Sequence, residues 1–176
     1  MARLKILTFP DPRLRKVASP VKEFDKSLIK ITENMLETMY DAPGIGLAAV
    51  QVGVPLRVIV MDISWNKEDG IKEPKYFVNP VISNKAKDLS IYEEGCLSIP
   101  DHFAEITRPE LVQVQWVDLD GKQHSQEFDG LKSTCIQHEI DHLNGKLFIY
   151  YLGPIKRQMI TRKMQKFKRE KLRGSE

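Results

Sequence analysis

The sequence contains only two cysteines, Cys96 and Cys135, and no hydrophobic run that approaches the roughly 20 residues needed to span a membrane. Two cysteines do not make a disulfide framework, so each thiol is free for metal binding, for chemistry or for packing. The charged N-terminal segment also lacks the apolar stretch of a secretory signal peptide. We therefore expect a cytoplasmic protein with no membrane segment.

Glycine and proline are scarce as well, with ten of each in 176 residues, and we find no internal repeat and no low-complexity linker. The hydrophobic content of 41% and the charged content of 29% are ordinary for a globular chain. A chain of this length fits one hydrophobic core better than two small ones. The sequence therefore predicts a single domain over residues 1–176.

Periodicity predicts an α+β fold. Apolar residues recur at helical spacing over residues 25–41, whereas strand-like runs occupy 57–62 and 76–82, separated by a polar turn at 66–70. Two further strands, 111–119 and 122–128, flank Asp120-Gly121, a dipeptide typical of a two-residue hairpin turn. A buried helix follows over residues 131–143. We expect mixed, largely antiparallel sheets packed around this central helix.

The net charge of +3 conceals a strongly basic end. Residues 156–173 contain nine lysines or arginines and one acid, a local balance of +8 that leaves −5 for the rest of the chain. The segment at about 155–173 also places Met159, Ile160, Met164 and Phe167 on one side, which predicts an amphipathic C-terminal helix. Such a helix suits contact with an anionic partner, although it is equally typical of a solvated helix docked by its apolar side.

The predicted central helix contains the sequence HEIDH, which places His138 and His142 one turn apart on the same face. Two imidazoles so placed can bind one metal ion. Glu139 is rotated by roughly 100° from His138 and suits a general base that acts on a water. Asp141 is either a solvated acid or an ion-pair partner of Arg108 that orients a ligand.

A catalytic metal needs a third protein ligand and an open position. Cys135 shares a helical face with His138 but lies about 10 Å along the axis from His142, too far for one ion to gather all three. Cys96 follows Gly95, which permits close approach of the chain to another element. We therefore predict Cys96 as the third ligand and Cys135 as a buried thiol that lines a pocket or the core.

A glycine-rich segment, GIGLAAVQVG at residues 44–53, follows the first predicted helix. It is not a dinucleotide fingerprint, because the third glycine is replaced by Ala49 and no strand precedes it. Small residues allow the backbone to approach a ligand, and Gln51 could direct a side-chain N–H at an oxyanion. A plain loop beside a buried strand explains the segment equally well.

Three segments in this order, GIGLAAVQ, EGCLS and QHEIDH, closely resemble the signature motifs of peptide deformylases of the bacterial type. The similarity extends through most of residues 1–160. The resemblance implies hydrolytic removal of the formyl group from the N-terminal formyl-methionine of new proteins, with release of formate. It implies a metal bound by Cys96, His138 and His142, with Glu139 as acid and base. In this family the ion is typically Fe²⁺, and Zn²⁺, Ni²⁺ or Co²⁺ can replace it.

The resemblance also implies roles for residues around the metal. The side-chain amide of Gln51 and the backbone N–H of Leu97 would stabilise the oxyanion. The methionine side chain would enter an apolar pocket, and Gly46 would offer backbone hydrogen bonds to the peptide; the pocket would draw on Ile45, Leu131 and Cys135. Some relatives carry an arginine seven residues after the metal cysteine, but this sequence has Phe103, which makes an arginine contact to the peptide doubtful.

Two other functions share parts of this pattern. A zinc endopeptidase also uses His-Glu-x-x-His, but it usually takes a downstream His or Glu as its third ligand. A nonenzymatic ribosome- or RNA-binding protein with a structural metal would require a fourth protein ligand. In a deformylase, the basic helix at about 155–173 would bring the enzyme to the ribosome, where formyl-methionyl peptides emerge.

Overall fold

The computed structural model describes residues 2–65 and 70–174. Of the turn predicted at 66–70, residues 66–69 lie outside this described part. Three short 3₁₀ turns occur at Pro12–Arg15, Ala49–Val52 and Phe148–Tyr151. The helices and strands follow in the order α1 (Lys26–Asp41), β1 (Gly46–Ala48), β2 (Val58–Met61), β3 (Lys75–Lys85), β4 (Leu89–Cys96), β5 (Ile99–Pro109), β6 (Val112–Val117), β7 (Gln123–Phe128), α2 (Gly130–Leu143) and α3 (Pro154–Arg173).

The strands form two antiparallel sheets. One has five strands in the order β1-β2-β3-β6-β7, and the other is the two-stranded hairpin of β4 and β5. The α+β prediction of largely antiparallel sheets is therefore confirmed. The sequence pattern did not predict β4 and β5, and these two strands carry the second signature segment.

The five-stranded sheet is covered on both faces. Along β2, Val58 and Val60 pack with α1, whereas Ile59 and Met61 point to the opposite face and pack with α2. This alternation follows from the two-residue period of a strand. The sheet thus holds α2 at a fixed height between itself and the β4–β5 hairpin.

Helix α2 is buried on nearly all sides, since ten of its fourteen residues are inaccessible to solvent. A helix buried all round lies in the centre of a protein rather than on its surface. The polar side chains that it carries must therefore find partners inside the protein, because an unpaired buried polar group costs stability. The predicted central helix is confirmed.

The C-terminal helix α3 docks through one apolar side, as predicted. Ile160 and Met164 are buried in a cluster with the 3₁₀ turn that precedes α3, and Phe167 packs at its edge. Met159, in contrast, is 52% exposed, so its predicted place on the buried side is wrong. The basic side chains of α3 all face solvent.

The hairpin between β6 and β7 has the predicted strands but a different turn. Gly121 donates a backbone hydrogen bond to Asp118, whose own N–H bonds to Lys122. Within loop residues 118–122, only Gly121 has a positive φ, at 81°. This is a three-residue loop with a glycine bulge. The predicted two-residue turn is wrong because Asp120 does not adopt a positive φ.

Candidate metal centre

Helix α2 brings its two histidines together in the protein interior. The Nε2 atoms of His138 and His142 lie 3.2 Å apart, and the two side chains are 8% and 1% exposed. The i, i+4 spacing accounts for this approach, since residues four apart stack on one helical face.

The β4–β5 hairpin supplies a third side chain at its tip. Cys96 ends β4 and pairs with Ile99, so that Leu97 and Ser98 form the turn between the strands. The Sγ atom of Cys96 lies 3.2 Å from Nε2 of His142. The ligand atoms of Cys96, His138 and His142 all lie within 4.8 Å of one another. Cys135 is buried elsewhere on α2, with its thiol 3.9 Å from the carbonyl oxygen of Ile45.

This group fits a metal ion. Two nitrogen ligands about 2.05 Å from a tetrahedral ion are separated by about 3.3 Å, close to the observed approach of the two histidines. The Nδ1 atom of His138 bonds to a carboxylate, which directs the lone pair of its Nε2 toward His142 and Cys96. A cation between such electron-rich atoms would relieve their mutual repulsion.

A buried carboxylate orients His138 from behind. Glu94, two residues before the cysteine, accepts a 2.8 Å hydrogen bond from Nδ1 of His138. Arg108 on β5 grips the same carboxylate with Nε at 2.5 Å and Nη2 at 3.1 Å. Burial alone would raise the pKa of Glu94, but the hydrogen bonds from His138 and Arg108 lower that pKa below its usual value. Glu94 is therefore a fixed anion.

Arg108 also links this carboxylate to the far side of α2. Its Nη1 atom lies 2.8 Å from Oδ2 of Asp141, which accepts a second bond from the hydroxyl of Tyr151. The predicted ion pair between Asp141 and Arg108 is confirmed. The network connects the hairpin, α2 and the turn before α3 around the histidine.

Glu139 lies beside the histidines with its carboxylate almost fully buried. It is 5% exposed, and its Oε2 atom has no hydrogen-bond partner in the described part of the chain. Burial raises the pKa of Glu139 to about 7. A carboxyl group with such a pKa can both accept and return a proton near neutral pH.

The side-chain amide of Gln51 is held in one orientation. Its oxygen accepts a 2.8 Å hydrogen bond from the backbone N–H of Ala48, so its nitrogen faces the hairpin tip. That nitrogen lies 3.1 Å from Oγ of Ser98 and 3.6 Å from Sγ of Cys96. Gln51 is thus a neutral donor beside the three converging ligand atoms.

A cleft of about 650 Å³ opens onto this centre. The cleft is lined by every residue predicted for catalysis, for the substrate pocket and for the metal except His142, which lies beneath it. Gly46 is tightly packed, since a Cβ atom there would lie 2.6 Å from Oε1 of Glu139. Phe103, which is 62% exposed, forms part of the rim.

Sequence reasoning missed Glu94 and Ser98, although both lie in the EGCLS segment. The signal for Glu94 was available, because a histidine that binds a metal almost always donates its other ring N–H to a carboxylate or carbonyl. Ser98 carried no comparable signal, since its contact with Gln51 depends on how the hairpin meets the glycine-rich segment.

Known proteins show the same sequence and fold. The model of the polypeptide deformylase family matches residues 3–158. A peptide deformylase of Afipia carboxidovorans is 51% identical over 166 residues, which cover 94% of this chain and 96% of that protein. A crystal structure of a peptide deformylase from Legionella pneumophila superposes with a TM-score of 0.88 at 48% identity, covering 98% and 99% of the two chains.

A third comparison concerns an enzyme with a ligand. The crystal structure of peptide deformylase from Ehrlichia chaffeensis in complex with actinonin has a TM-score of 0.90 and 39% identity, with 96% and 99% of the chains covered. Among the described residues, no helix is both long and apolar enough to cross a membrane. The matches in sequence and in fold agree, and the chain belongs to the peptide deformylase family.

Proposed function

We propose that this chain removes the formyl group from N-terminal formyl-methionine through a metal ion bound by Cys96, His138 and His142. Membership of the deformylase family makes it a hydrolase of the formyl amide. The observation that carries the proposal is the convergence of the three ligand atoms within 4.8 Å at the end of the cleft. A divalent ion bound there supplies a Lewis acid that polarises the formyl carbonyl and activates a water.

Glu139 performs the proton transfers in this proposal. Its carboxylate accepts a proton from the attacking water and then delivers it to the nitrogen of the leaving amine, so that formate and the free amino terminus are the products. The pKa of about 7 supports both roles, because the group is neither a strong acid nor a strong base at neutral pH.

Two N–H donors stabilise the negative charge that develops on the formyl oxygen. One is the side-chain amide of Gln51, which its bond to Ala48 already orients. The other is the backbone N–H of Leu97, which follows Cys96 in the hairpin turn. Donors that are fixed before the reaction stabilise a transition state without a cost of reorganisation.

The cleft binds the substrate in an extended form. Ile45, Leu131 and Cys135 line it and offer apolar contacts to the methionine side chain, while the backbone of Gly46 offers hydrogen bonds to the peptide. Leu131 is 43% exposed, which suits a pocket that opens to solvent before the substrate binds.

We propose Fe²⁺ as the native ion on the strength of the family resemblance. Thiolate and imidazole ligands accept Zn²⁺, Ni²⁺ and Co²⁺ as well, so the ligand set alone does not select iron. Metal analysis of protein purified without oxygen, read together with its activity, tests this assignment. A protein that is active only with zinc would contradict it.

We further propose that residues 1–176 form one domain that acts in the cytoplasm at the ribosome. Helix α3 packs on the same protein body through Ile160 and Met164, which supports a single domain. Its exposed basic residues support contact with ribosomal phosphates, where nascent formyl-methionyl chains emerge.

Formate release from formyl-Met-Ala-Ser by iron-loaded protein tests the activity and the roles of the site. We expect turnover by the parent, loss of metal and activity in Cys96→Ala, and retained metal with most activity lost in Glu139→Gln. Glu127→Gln, an exposed change on β7, is the control and should behave like the parent.

Three results would each count against part of the proposal. Near-normal turnover in Glu139→Gln would refute the assigned general base. Cleavage of internal peptide bonds by the parent would favour a zinc endopeptidase. Neither reaction in folded, metal-loaded protein would favour a nonenzymatic binding protein.

A further inference from the structure

The β4–β5 hairpin has a solvent-exposed face that the chemistry at its tip does not use. Side chains on each strand alternate between this outer face and the protein interior. The outer face, as we use the term, comprises Leu89, Ile91 and Glu93 on β4 with Phe103, Glu105 and Thr107 on β5. Leu89, Ile91 and Phe103 are each more than 60% exposed, which is unusual for large apolar side chains on one small hairpin.

The outer face is continuous with the catalytic cleft. Gly95 pairs with Phe103 across the hairpin, and the phenyl ring lies so close that a Cβ atom on Gly95 would be 2.5 Å from Cε1 of Phe103. Both residues line the cleft, as does Glu93 one pair further out. A peptide that leaves the cleft past Phe103 therefore meets the outer face next.

Negative charge is concentrated at this exit. Glu93 and Glu105 are directly opposite each other, an arrangement of like charges that destabilises a strand pair. Across residues 2–65 and 70–174, neither of these carboxylates has an ion pair or hydrogen bond, and Asp101 on the cleft rim has none either. The described cleft lining contains no lysine or arginine that would neutralise them.

We propose that the outer face binds the part of a nascent chain that follows the residues held in the cleft, and that it favours a lysine or arginine there. This inference rests on the proposed deformylase function. A cationic side chain would lie between Glu93 and Glu105 and pack its methylene groups on Phe103 or Ile91. The six residues from Gly95 to Leu89 span about 20 Å, the length of about six extended substrate residues.

Peptides of eight residues test the proposal. They begin with formyl-Met-Ala-Ser, continue with alanine, and carry a single lysine or a single glutamate at one position from four to eight. In the parent we expect kcat/KM to be about 3- to 10-fold higher for lysine than for glutamate at one or more positions, mainly through KM. The ratio should fall toward one in 0.5 M salt, because exposed charges are then screened.

The variant Glu105→Lys should reverse the preference, since Glu105 lies on the outer face beyond the cleft. Glu127→Lys adds the same charge on β7, in the other sheet, and should keep the preference of the parent. A ratio near one at all five positions in the parent, or a lysine preference unchanged in Glu105→Lys, would overturn the proposal.

Two further readings separate other causes. If the parent also fails to deformylate formyl-Met-Ala-Ser, the proposed function fails first, and with it this inference. If light scattering shows a dimer that Ile91→Glu dissociates, a second copy of the chain occupies the outer face and the proposal is overturned. A monomer that turns over the tripeptide and shows the lysine preference supports it.

Discussion

At the scale of single residues, the orientation of Gln51 distinguishes an oxyanion donor from an ordinary buried amide. Its oxygen is engaged by Ala48, so only its nitrogen is directed to the hairpin tip. We expect Gln51→Ala to lower kcat by roughly 10²- to 10³-fold with metal content unchanged, which is the usual effect of removing one such donor. Steady-state formate release and metal analysis measure the two quantities.

Gln115→Ala, an exposed change on β6, provides the matched control and should leave kcat as in the parent. If Gln51→Ala retained at least half of the parent's kcat, the oxyanion role would be refuted. A loss of metal in Gln51→Ala would instead indicate that Gln51 supports the ligand Cys96, which lies 3.6 Å from its amide nitrogen.

Glu94 is a positioning residue whose effect passes through His138. Glu94→Gln preserves the shape of the side chain but removes the charge that holds Arg108 and the histidine. We expect metal affinity to fall about 10- to 100-fold, as is typical when the partner of a metal-binding histidine is lost. We also expect the free energy of unfolding to fall by about 3 to 5 kcal/mol, because Arg108 remains buried without its main partner.

Chelator competition and urea unfolding test these two expectations separately. Glu94→Asp, which keeps the charge, should recover part of the metal affinity, whereas a purely steric role would not distinguish aspartate from glutamine. Metal affinity equal to that of the parent in Glu94→Gln would contradict the role assigned to this carboxylate.

The site illustrates how far sequence reasoning reaches at this scale. His138, Glu139 and His142 were predictable because a helix of 3.6 residues per turn fixes their relative positions. Cys96 followed from the distance that excludes Cys135. The contact of Ser98 with Gln51 was not predictable, because it depends on the packing of two segments 47 residues apart in the chain.

At the scale of elements, the prediction was better for helices than for strands. Helices α1 and α2 begin and end close to the predicted residues, since Asp25 caps one and glycine follows the other. Strands β4 and β5 were missed because their outer face mixes exposed apolar and acidic residues. A strand pair that reads a substrate rather than a core loses the simple alternation of polar and apolar residues.

Asp62 joins several elements after β2 and gives an element-scale prediction. Its buried carboxylate accepts hydrogen bonds from the hydroxyl of Tyr40 on α1, from Ser64 and from the backbone N–H of Glu73. Burial would raise the pKa of Asp62, but these hydrogen bonds lower it below the usual value. We expect Asp62→Asn to lower the free energy of unfolding by about 1 to 3 kcal/mol at pH 7.

The lowered pKa also fixes how this difference depends on pH. A carboxyl group with a depressed folded pKa contributes its full stability above the unfolded pKa of about 3.9 and loses it as the pH falls through the folded pKa. The difference between the parent and Asp62→Asn should therefore be constant from pH 7 to about pH 5 and shrink below about pH 4. Urea unfolding of both proteins in the same metal state measures it.

Asp120→Asn, at an exposed position of the β6–β7 loop, is the matched control and should show no such dependence. A difference between the parent and Asp62→Asn that stayed constant down to pH 3 would show that the charge of Asp62 contributes nothing to stability.

At the scale of the whole molecule, charge is divided between two parts with different tasks. The cleft and the outer face of the hairpin carry unpaired acids, whereas α3 carries nine cations within 156–173. The acidic part suits discrimination among peptides at short range. The basic part suits attraction to a polyanion at long range, which raises the local concentration of enzyme near its substrate.

The basic helix therefore predicts salt-sensitive binding to ribosomes. Truncation before α3 would remove Ile160 and Met164 from the core, so charge reversal is the cleaner change. We expect the triple variant R162E/K163E/R169E to co-sediment with ribosomes about 10-fold or more weakly at 100 mM salt and to show a shallower dependence on salt, because fewer phosphate contacts release fewer counterions.

A second triple variant, K30E/K85E/K122E, changes the net charge equally at exposed lysines on other elements. If attraction depended only on net charge, both variants would lose binding to the same extent, and the specific role of α3 would be refuted. If α3 forms the contact, the second variant should bind nearly as well as the parent. Turnover of formyl-Met-Ala-Ser should remain like that of the parent in both, because a free tripeptide requires no ribosome.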